Sequence, residues 1–496
     1  MKAYWMIAFA ARLLSAAIAS PEPTPKEEPV SAEQKSSVVR VNSTNQGYDF
    51  LRPWNKQAPI SRRGLGVLID GGKILVTAEL VTNSNYVELE KPDGGSKATA
   101  KVEVIDYEAN LATLIPIDLK FLDSIQPLAI TTDVKTGDKL SVLQLESNGT
   151  PVSTQALVTS VEIGRYALED SGYLMFRLSC SLQFRDNSYT VPIVKENKLA
   201  GLLMRYDSHS QTIDAISSSV IAHFLKEAQN TPYKGFPHVG LSFSSTRDPQ
   251  LRRYLKLQDS DGGVYVNQVD RSGPAAKAGI KECDILVAID DKQIDPDGNY
   301  IHPIYGKLSI THLTTTNAYV GQKVVMTVIR NGQRTSVPVE LFRRSLEDYV
   351  VEPYSVGKSP RYFILDGLVF QELTRQYLRE WGADWQKNAP QRLVYYDRFQ
   401  ADLFPEKRKI VFLSQILPTS DTIGYEQLNH LVVKAVNNRE IKDLNDLVEA
   451  LKQPADRYDK FEFEEDPHEI YLDAQQAAES APKLQKLYAL PALERL

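Results

Sequence analysis

Short apolar runs separated by polar turns dominate the first part of the chain. Between residue 38 and about residue 216 the apolar runs are only a few residues long, and glycine, asparagine and aspartate lie between them. Clear examples are residues 38–41, 66–69, 73–76 and 101–105. Runs of this length and spacing are typical of strands joined by tight turns. The pattern predicts an all-β barrel or sandwich over this region.

A change of periodicity near residue 217 predicts a helix at the end of this first unit. Over residues 217–229 one helix face is apolar and consists of Val220, Ile221, Phe224 and Leu225. His223 lies on the same helix, and we expect it on the protein surface. Residues 231–235 read Thr-Pro-Tyr-Lys-Gly, which is typical of a linker. The first unit therefore spans residues 38–230.

A second unit, residues 236–345, contains the most specific segment of the chain. A strand is predicted over residues 263–269, followed by a short helix that begins at Pro274 and ends at Gly279. Another strand then begins at Ile285. This order of elements resembles a PDZ domain of the type attached to proteases.

A third unit, residues 359–478, repeats this order with weaker signals. Its predicted elements are two strands and a helix, at residues 409–413, 431–437 and 443–452. We interpret it as a divergent second PDZ-like domain, followed by a C-terminal tail over residues 479–496. An insertion at residues 377–390 holds Trp381 and Trp385, which either pack in the core, the favoured interpretation, or form a docking surface.

Composition and charge indicate a soluble multidomain protein. The chain has 496 residues, of which 42% are hydrophobic and 24% charged, and this length suits about two to four domains. A net charge of −6 provides no broad cationic surface, so nucleic acid is not an expected partner. No unbroken apolar span of about 20 residues is present, so no transmembrane anchor is expected.

The first residues of the chain predict a leader and a tether. Residues 1–19 combine a basic start, an apolar stretch and a small-residue cleavage pattern, which is typical of a signal peptide. Residues 20–37 are rich in proline, glutamate, serine and lysine and are expected to form a disordered tether. The protein is therefore expected in the periplasm or outside the cell, with an organelle lumen as the alternative.

The cysteines and histidines predict neither a disulfide framework nor a metal site. Cys180 and Cys283 fall in different predicted domains, so no disulfide framework is expected, and both are expected to be small buried residues. The seven histidines are scattered without the spacing of a zinc site. No metal and no cofactor is predicted.

The order of barrel, helix and two PDZ-like units resembles the Deg/HtrA family of serine proteases, and its plant-type branch in particular. Residues 53–56, 220–225 and 424–428 carry the resemblance to that branch. The resemblance implies a mainly β fold, with a chymotrypsin-like double β-barrel followed by two PDZ-like α+β domains.

Aligned with that family, the catalytic triad is degenerate. Glu79 stands where the resemblance places the histidine base, and Asn110 stands where it places the aspartate. The first histidine of the chain is His209, which follows the aligned nucleophile Ser188 instead of preceding it. Asp186 occupies a glycine position of the oxyanion hole, where its charge would repel the developing negative charge. No catalytic residue is therefore expected.

The first PDZ-like unit keeps the features that bind peptides in this family. The resemblance assigns its carboxylate-binding loop to His238, Val239, Gly240 and Leu241, and its peptide-pairing strand to Ser242 and Phe243. The opposite wall of the groove is expected on a helix over residues 310–318, through His312, Leu313 and Thr316. In the second PDZ-like unit, Asp366 interrupts the equivalent loop, so contacts between domains or subunits are expected there instead.

These features predict a proteolytically inactive Deg/HtrA-like protein that binds C-terminal or unfolded segments and acts as a scaffold, adaptor or holdase. One alternative is an active serine endopeptidase in protein quality control. Another is a regulatory subunit of mixed oligomers with an active paralogue. The resemblance further implies homo-oligomers or mixed oligomers, with Tyr48, Phe50 and Trp54 as candidate contacts.

Overall fold

The computed structural model describes most of the chain. The described ranges are residues 27–28, 37–92, 94–166, 168, 172–183, 189–258, 260–404, 406–453 and 457–496. The predicted signal peptide lies outside them. Within these ranges no helix has both the length and the apolar character needed to span a bilayer. The first element, β1 (Glu27–Glu28), belongs to the segment that we predicted as a disordered tether.

Six strands close into a first barrel. They are β2 (Val38–Asn45), β3 (Ile60–Ile69), β4 (Lys73–Val76), β5 (Ser84–Glu90), β6 (Lys97–Asp106) and β7 (Leu111–Pro116), in the order β2-β3-β4-β7-β6-β5. The one-turn helix α1 (Ala78–Val81) follows β4, and a 3₁₀ turn (Leu119–Leu122) follows β7. Val39, Ile74 and Leu114 are buried inside this barrel, as alternating strands require.

A second barrel follows. Its strands are β8 (Lys139–Leu145), β9 (Pro151–Arg165), β10 (Gly172–Ser179), β11 (Val191–Lys195), β12 (Lys198–Asp207) and β13 (Thr212–Ser217), and pairing of β8 with both β9 and β11 closes it. The strand β1 pairs with Ser153 and Thr154 of β9, next to the stretch of β9 that pairs with β10. Helix α2 (Ser218–Glu227) begins where the Ser217 side chain accepts a hydrogen bond from the Val220 amide, close to the predicted start.

The first PDZ-like unit is a sheet with short helices at its ends. Its elements are β14 (Leu241–Ser245), α3 (Pro249–Tyr254), β15 (Val264–Val269), α4 (Pro274–Ala278), β16 (Ile285–Ile289), β17 (Lys292–Gln293), β18 (Asn299–His302), β19 (Gly306–Ser309), α5 (Thr311–Thr314), β20 (Lys323–Arg330) and β21 (Gln333–Glu340). The main sheet has the order β14-β15-β16-β20-β21. Pro274 begins α4 and Gly279, at a φ of 90°, ends it, which confirms both predictions.

The second PDZ-like unit begins after a 3₁₀ turn (Leu346–Asp348). Its elements are β22 (Tyr362–Leu365), β23 (Leu368–Glu372), α6 (Arg375–Arg379), α7 (Trp385–Asn388), α8 (Gln391–Leu403), β24 (Val411–Ile416), β25 (Leu431–Val436), β26 (Arg439–Glu440), α9 (Leu444–Leu451), β27 (Tyr458–Phe463), β28 (Glu469–Asp473), α10 (Ala474–Tyr488) and β29 (Glu494–Arg495). Its sheet has the order β28-β27-β25-β24-β23-β22-β29. Two barrels followed by two such units confirm the predicted mainly β fold.

The C-terminal residues 479–496 are not a free tail. They complete α10 and form β29, which pairs with β22 through Tyr362 and Arg495. Leu484 and Leu490 are buried beside Tyr362, so this segment closes one side of the second PDZ-like core. The prediction of a tail is therefore wrong.

The aromatic residues that we assigned to oligomer contacts face the chain's own second PDZ-like unit. Phe50 is buried with Tyr377, Trp385 and Phe412, and the Trp54 ring lies edge-on to Tyr362 at 6.3 Å. These contacts hold the second PDZ-like unit against the first barrel. Burial of Trp385 in this cluster also favours core packing of the insertion.

Candidate functional site

The structure brings together the two aligned triad positions that it describes. Glu79 lies in α1, and its backbone amide donates a hydrogen bond to Asn110 Oδ1 at 3.0 Å. Asn110 is buried and adopts a φ of 54°, at the end of the turn from β6 to β7. Asp186 and Ser188 lie outside the described residues. Glu79 and Asn110, which the sequence aligns with two different triad positions, are therefore neighbours in the structure.

Glu79 lies in a partly buried environment that also contains a cation. Burial raises the pKa of Glu79, while the Asn110 side chain and the Arg62 guanidinium oppose this shift. Arg62 Nη1 donates a hydrogen bond to the Glu79 carbonyl oxygen, and the same guanidinium lies over the Tyr189 ring at 5.5 Å. The Asn110 oxygen that would orient a base is already used by the Glu79 amide.

Backbone pairing joins the two barrels next to Glu79. Tyr189 pairs with Gly64 of β3, and the Leu65 amide donates to the Tyr189 carbonyl oxygen at 3.1 Å. Thr190 Oγ1 accepts from the Thr77 amide at 2.8 Å, directly before α1. A side chain at Gly64 would collide with the Tyr189 carbonyl, so only glycine permits this approach. We did not predict this closure.

An open sheet edge and a deep cavity mark the first PDZ-like unit. The strand β14 pairs with β15 on one side, and among the described residues no strand pairs with its other side. This free edge borders a cavity of about 500 Å³. The cavity is lined by the residues that we assigned to the carboxylate-binding loop and the peptide-pairing strand, namely His238, Val239, Gly240, Leu241, Ser242 and Phe243.

The opposite wall of the cavity differs from the prediction. The helix α5 ends at Thr314, because Thr315 leaves the helical conformation, and the wall consists of Ile310, Thr311, Thr314 and Thr315. The predicted residues point elsewhere. His312 Nδ1 lies 2.7 Å from the Tyr300 hydroxyl and Leu313 packs in the core, while Thr316 Oγ1 accepts from the Leu174 amide at 3.2 Å.

Residues from three other parts of the chain complete the cavity. Glu108 and Tyr173 come from the barrels, Arg344 and Tyr354 from the segment after the first PDZ-like sheet, and Arg375 from the second PDZ-like unit. Beside the cavity, Gln268 Nε2 lies 3.4 Å from Asp402 Oδ1 at the end of α8. This end of the groove is therefore built from residues of both barrels, both PDZ-like units and the segment between those units. No local sequence pattern predicts that these residues meet.

A buried ionic cluster lies behind this composite wall. Arg343 Nη1 lies 2.9 Å from Asp106 Oδ2, and Arg343 Nη2 lies 3.1 Å from Glu108 Oε2. The hydroxyls of Tyr233 and Tyr354 donate to Asp106 and Glu108, at 2.8 and 3.1 Å. Burial alone would lower the pKa of Arg343, but the two carboxylates raise it. The cluster fixes the segment after the first PDZ-like sheet to the turn that carries Asn110.

His223 is buried, in contrast to its predicted surface position. Its ring is stacked between Phe236 at 4.1 Å and Tyr319 at 4.3 Å, and its Nδ1 lies 3.0 Å from the Thr316 carbonyl oxygen. Burial lowers its pKa to about 4. His223 is thus a packing residue between the second barrel and the first PDZ-like unit.

The second PDZ-like unit has no comparable free edge at its aligned loop. Residues 365–368 form a tight hairpin, so the edge of β23 is already occupied by β22. Asp366 is buried at a φ of 45°, and burial raises its pKa. Contacts of this loop with other domains or subunits stay a prediction.

The cysteines differ from one another. Cys180 is buried, and burial raises its pKa to about 11. Cys283 is exposed, and the Tyr265 hydroxyl lies 3.0 Å from its Sγ, so our prediction of a buried Cys283 is wrong. Across the described ranges, no cluster of three or more histidine, cysteine, aspartate or glutamate side chains is suited to a metal ion.

Comparison with known proteins gives both domain and full-length matches. Residues 237–341 and residues 351–494 each match the PDZ domain family. The chain is 26% identical to Protease Do-like 2, chloroplastic, of Arabidopsis thaliana over 92% of this chain and 74% of that protein. It is 25% identical to Putative protease Do-like 3, mitochondrial, of the same plant, over 92% of this chain and 79% of that protein.

Among solved structures, HtrA-type protease AlgW with decapeptide is similar to 63% of this chain and 97% of its own, at 19% identity and a TM-score of 0.48. The sequence matches extend over more of the chain. The two PDZ matches cover residues 237–341 and 351–494, and the plant relatives align with 92% of the chain. Two PDZ domains and this similarity to plant Do-like proteases confirm the resemblance to the Deg/HtrA family of PDZ-containing serine proteases.

Proposed function

We propose that this protein is a proteolytically inactive family member that binds C-terminal or unfolded peptide segments through its first PDZ domain and acts as a scaffold, adaptor or holdase. The observation that carries the proposal is Glu79 at the position of the general base, bonded through its backbone to Asn110. Both residues are parts of a packed turn and helix, and neither supplies an imidazole.

The chemistry explains why this change matters. A serine hydroxyl needs a base that accepts its proton near neutral pH, and a glutamate has an ordinary pKa of about 4.3. Burial raises the pKa of Glu79, but Arg62 opposes the shift and so favours the ionised form. Loss of the base costs roughly a millionfold in turnover in serine proteases that have been dissected in this way.

The joined barrels support the same conclusion. The segment after Ser188 is paired to β3 through Tyr189, and Thr190 is bonded to Thr77 beside α1. A substrate that paired with β3 at Gly64 would have to displace this backbone. Access to the position of the missing triad is therefore restricted along that edge.

The binding half of the proposal depends on the first PDZ domain. The free edge of β14 offers unpaired backbone groups, and a peptide binds such an edge as an additional strand. Gly240, at a φ of 71°, turns the chain at the closed end, where Val239 and Leu241 line the cavity. The cavity of about 500 Å³ has room for several ligand side chains.

We also propose that the protein works inside an organelle. Two of its relatives are named chloroplastic and mitochondrial, which favours the organelle alternative over the periplasm or the exterior. Assembly with further copies or with an active paralogue stays a prediction. The candidate residues Phe50 and Trp54 are engaged within the chain, so such an assembly would need other contacts.

Cleavage and binding of unfolded casein test the two halves of the proposal separately. The cleavage assay compares the wild-type chain with Ser188→Ala and with the double variant Glu79→His/Asn110→Asp. We expect no cleavage by the wild type, and binding of casein that a competing free C-terminal peptide reduces.

Cleavage by the wild type that Ser188→Ala abolishes would establish the alternative, an active serine endopeptidase. Binding that persists after Gly240→Val would place the ligand outside the groove, because a valine at that positive φ would disrupt the loop. The matched control is Gly306→Val, since Gly306 also has a positive φ but lies in the hairpin of β18 and β19, whose residues do not line the cavity.

A further inference from the structure

An ion pair lies at the closed end of the peptide groove. Arg344, just after the first PDZ sheet, places Nη1 3.0 Å from Asp270 Oδ2. The backbone amide of Asp270 donates to the Gly240 carbonyl oxygen at 2.8 Å. Both charged side chains line the same cavity as the loop of Val239, Gly240 and Leu241. The pair is therefore part of the site and not a distant surface contact.

Asp270 lies directly behind the glycine turn. A Cβ placed on Gly240 would lie 3.4 Å from the Asp270 Cβ. The Asp270 Oδ1 atom accepts hydrogen bonds from the Ser272 amide at 3.1 Å and from the Ser272 hydroxyl at 3.0 Å, so the carboxylate has a fixed position. A fixed negative charge at this place opposes the entry of another carboxylate unless a cation balances it.

Arg344 is held so that it provides this balance. Its guanidinium lies over the Tyr349 ring at 3.8 Å, and its Nη2 donates to the Asp348 carbonyl oxygen at 2.7 Å. Its backbone amide donates to His238 Nε2 at 3.2 Å. Burial lowers the pKa of His238, so this ring is a neutral acceptor near neutral pH. Arginine keeps its charge at every physiological pH.

The Arg344 side chain also retains unused donor capacity. Within the described ranges, its Nε–H is buried without an acceptor, although the two terminal nitrogens are engaged. A buried unpaired donor is costly. The contacts of Arg344 thus combine a neutralised carboxylate with a fixed position of the guanidinium beside the cavity.

We propose that Arg344 is the residue that makes the first PDZ domain select a free C-terminal carboxylate, by neutralising Asp270 behind the Gly240 turn. The inference rests on the proposed peptide binding in this groove. It assigns charge selection to a residue outside the PDZ sheet, on the segment that leads to the second PDZ domain. Selectivity then depends on the position of that segment as well as on the loop.

Paired peptides measure this selectivity directly. The probes are peptides that end in valine, leucine or phenylalanine, each prepared as the free acid and as the C-terminal amide, and titrated against the full chain. We expect the wild type to prefer the free acids by on the order of tenfold, the size of one charge-assisted contact. The acid-to-amide ratio is the readout, since a general loss of folding lowers both affinities together.

Four variants separate charge from structure. Arg344→Gln should bring the ratio close to one, Arg344→Lys should retain part of it, and Asp270→Asn should increase it. The matched control Arg271→Gln removes an exposed cation from the neighbouring position and should leave the ratio unchanged.

Each other result overturns the inference in a recognisable way. An unchanged ratio in Arg344→Gln, with free acids still bound, would refute the role of Arg344 and leave the proposed function standing. Equal weakening of acid and amide in that variant would assign Arg344 a purely structural role. No binding of any peptide to the wild type would overturn the proposed function, and the inference with it.

Discussion

Acidification is expected to weaken the contact between the second barrel and the first PDZ domain through His223. The ring lies between Phe236 and Tyr319, and Nδ1 donates to the Thr316 carbonyl oxygen. Nε2 is buried as well. Protonation would therefore create a positive charge in a buried site.

The magnitude follows from the pKa of His223. Burial lowers this pKa from 6.5 to about 4, while the Thr316 carbonyl and Asp106 oppose the shift. As the pH falls, the unfolded chain protonates His223 before the folded chain does. The contribution of neutral His223 to the free energy of unfolding is therefore fully present above pH 6.5 and is lost as the pH decreases towards 4. This difference between the pKa values in the unfolded and folded chains corresponds to about 3 kcal/mol of unfolding free energy. Most of that free energy is lost by about pH 4.5.

The assay is urea unfolding followed by circular dichroism at pH 7 and at about pH 4.5, combined with hydrogen exchange of α2. The variant His223→Phe keeps an aromatic ring in the stack but removes the titration. It should lose about 2 kcal/mol less stability than the wild type over this pH range. The matched control is His209→Phe, because His209 is exposed.

Equal losses in the wild type and in His223→Phe would refute this reasoning and assign the acid sensitivity to another group. The first candidate would be His312, because burial lowers its pKa to about 4 as well. Hydrogen exchange decides between them, since α2 carries His223 and α5 carries His312.

Three further predictions concern charge and docking. Arg343→Met should lower the free energy of unfolding by about 3 kcal/mol, because it leaves the fully buried Asp106 without its counter-ion. Adding Asp106→Asn to the same chain should recover part of this loss, as measured by denaturant titration. Phe50→Ala should weaken docking of the second PDZ domain by about 3 kcal/mol, seen as a larger radius of gyration in X-ray scattering. Glu79→Gln should raise stability at pH 7, because burial raises the pKa of Glu79, and this gain should vanish as the pH falls to 4.5.

Local signals in the sequence predicted much of the fold. Apolar runs located the strands of both barrels, and Pro274 with Gly279 fixed the bounds of α4 to within a residue. These successes share a cause, because turns and caps depend on residues that are adjacent in the chain. The same holds for the loop at residues 238–241, whose glycine requires a positive φ.

Errors arose where distant segments decide the outcome. His223 resembles a surface residue, because its partners Phe236 and Tyr319 belong to other segments. The helix predicted over residues 310–318 ends at Thr314, where a run of β-branched threonines disfavours a longer helix. The pair of Asp270 and Arg344 is separated by 74 residues and left no local trace.

One turn links Glu79 and Asn110 to the cavity of the first PDZ domain. Asp106 Oδ1 accepts from the amides of Glu108 and Ala109, while Asp106 Oδ2 holds Arg343, the neighbour of Arg344. At its other end, Asn110 accepts from the amide of Glu79. A turn fixed at both ends transmits displacement instead of absorbing it. Restoring histidine and aspartate at positions 79 and 110 would therefore leave two constraints in place, the ionic cluster on this turn and the pairing of Tyr189 with Gly64. We accordingly expect the double variant to bind peptides as the wild type does and to cleave none.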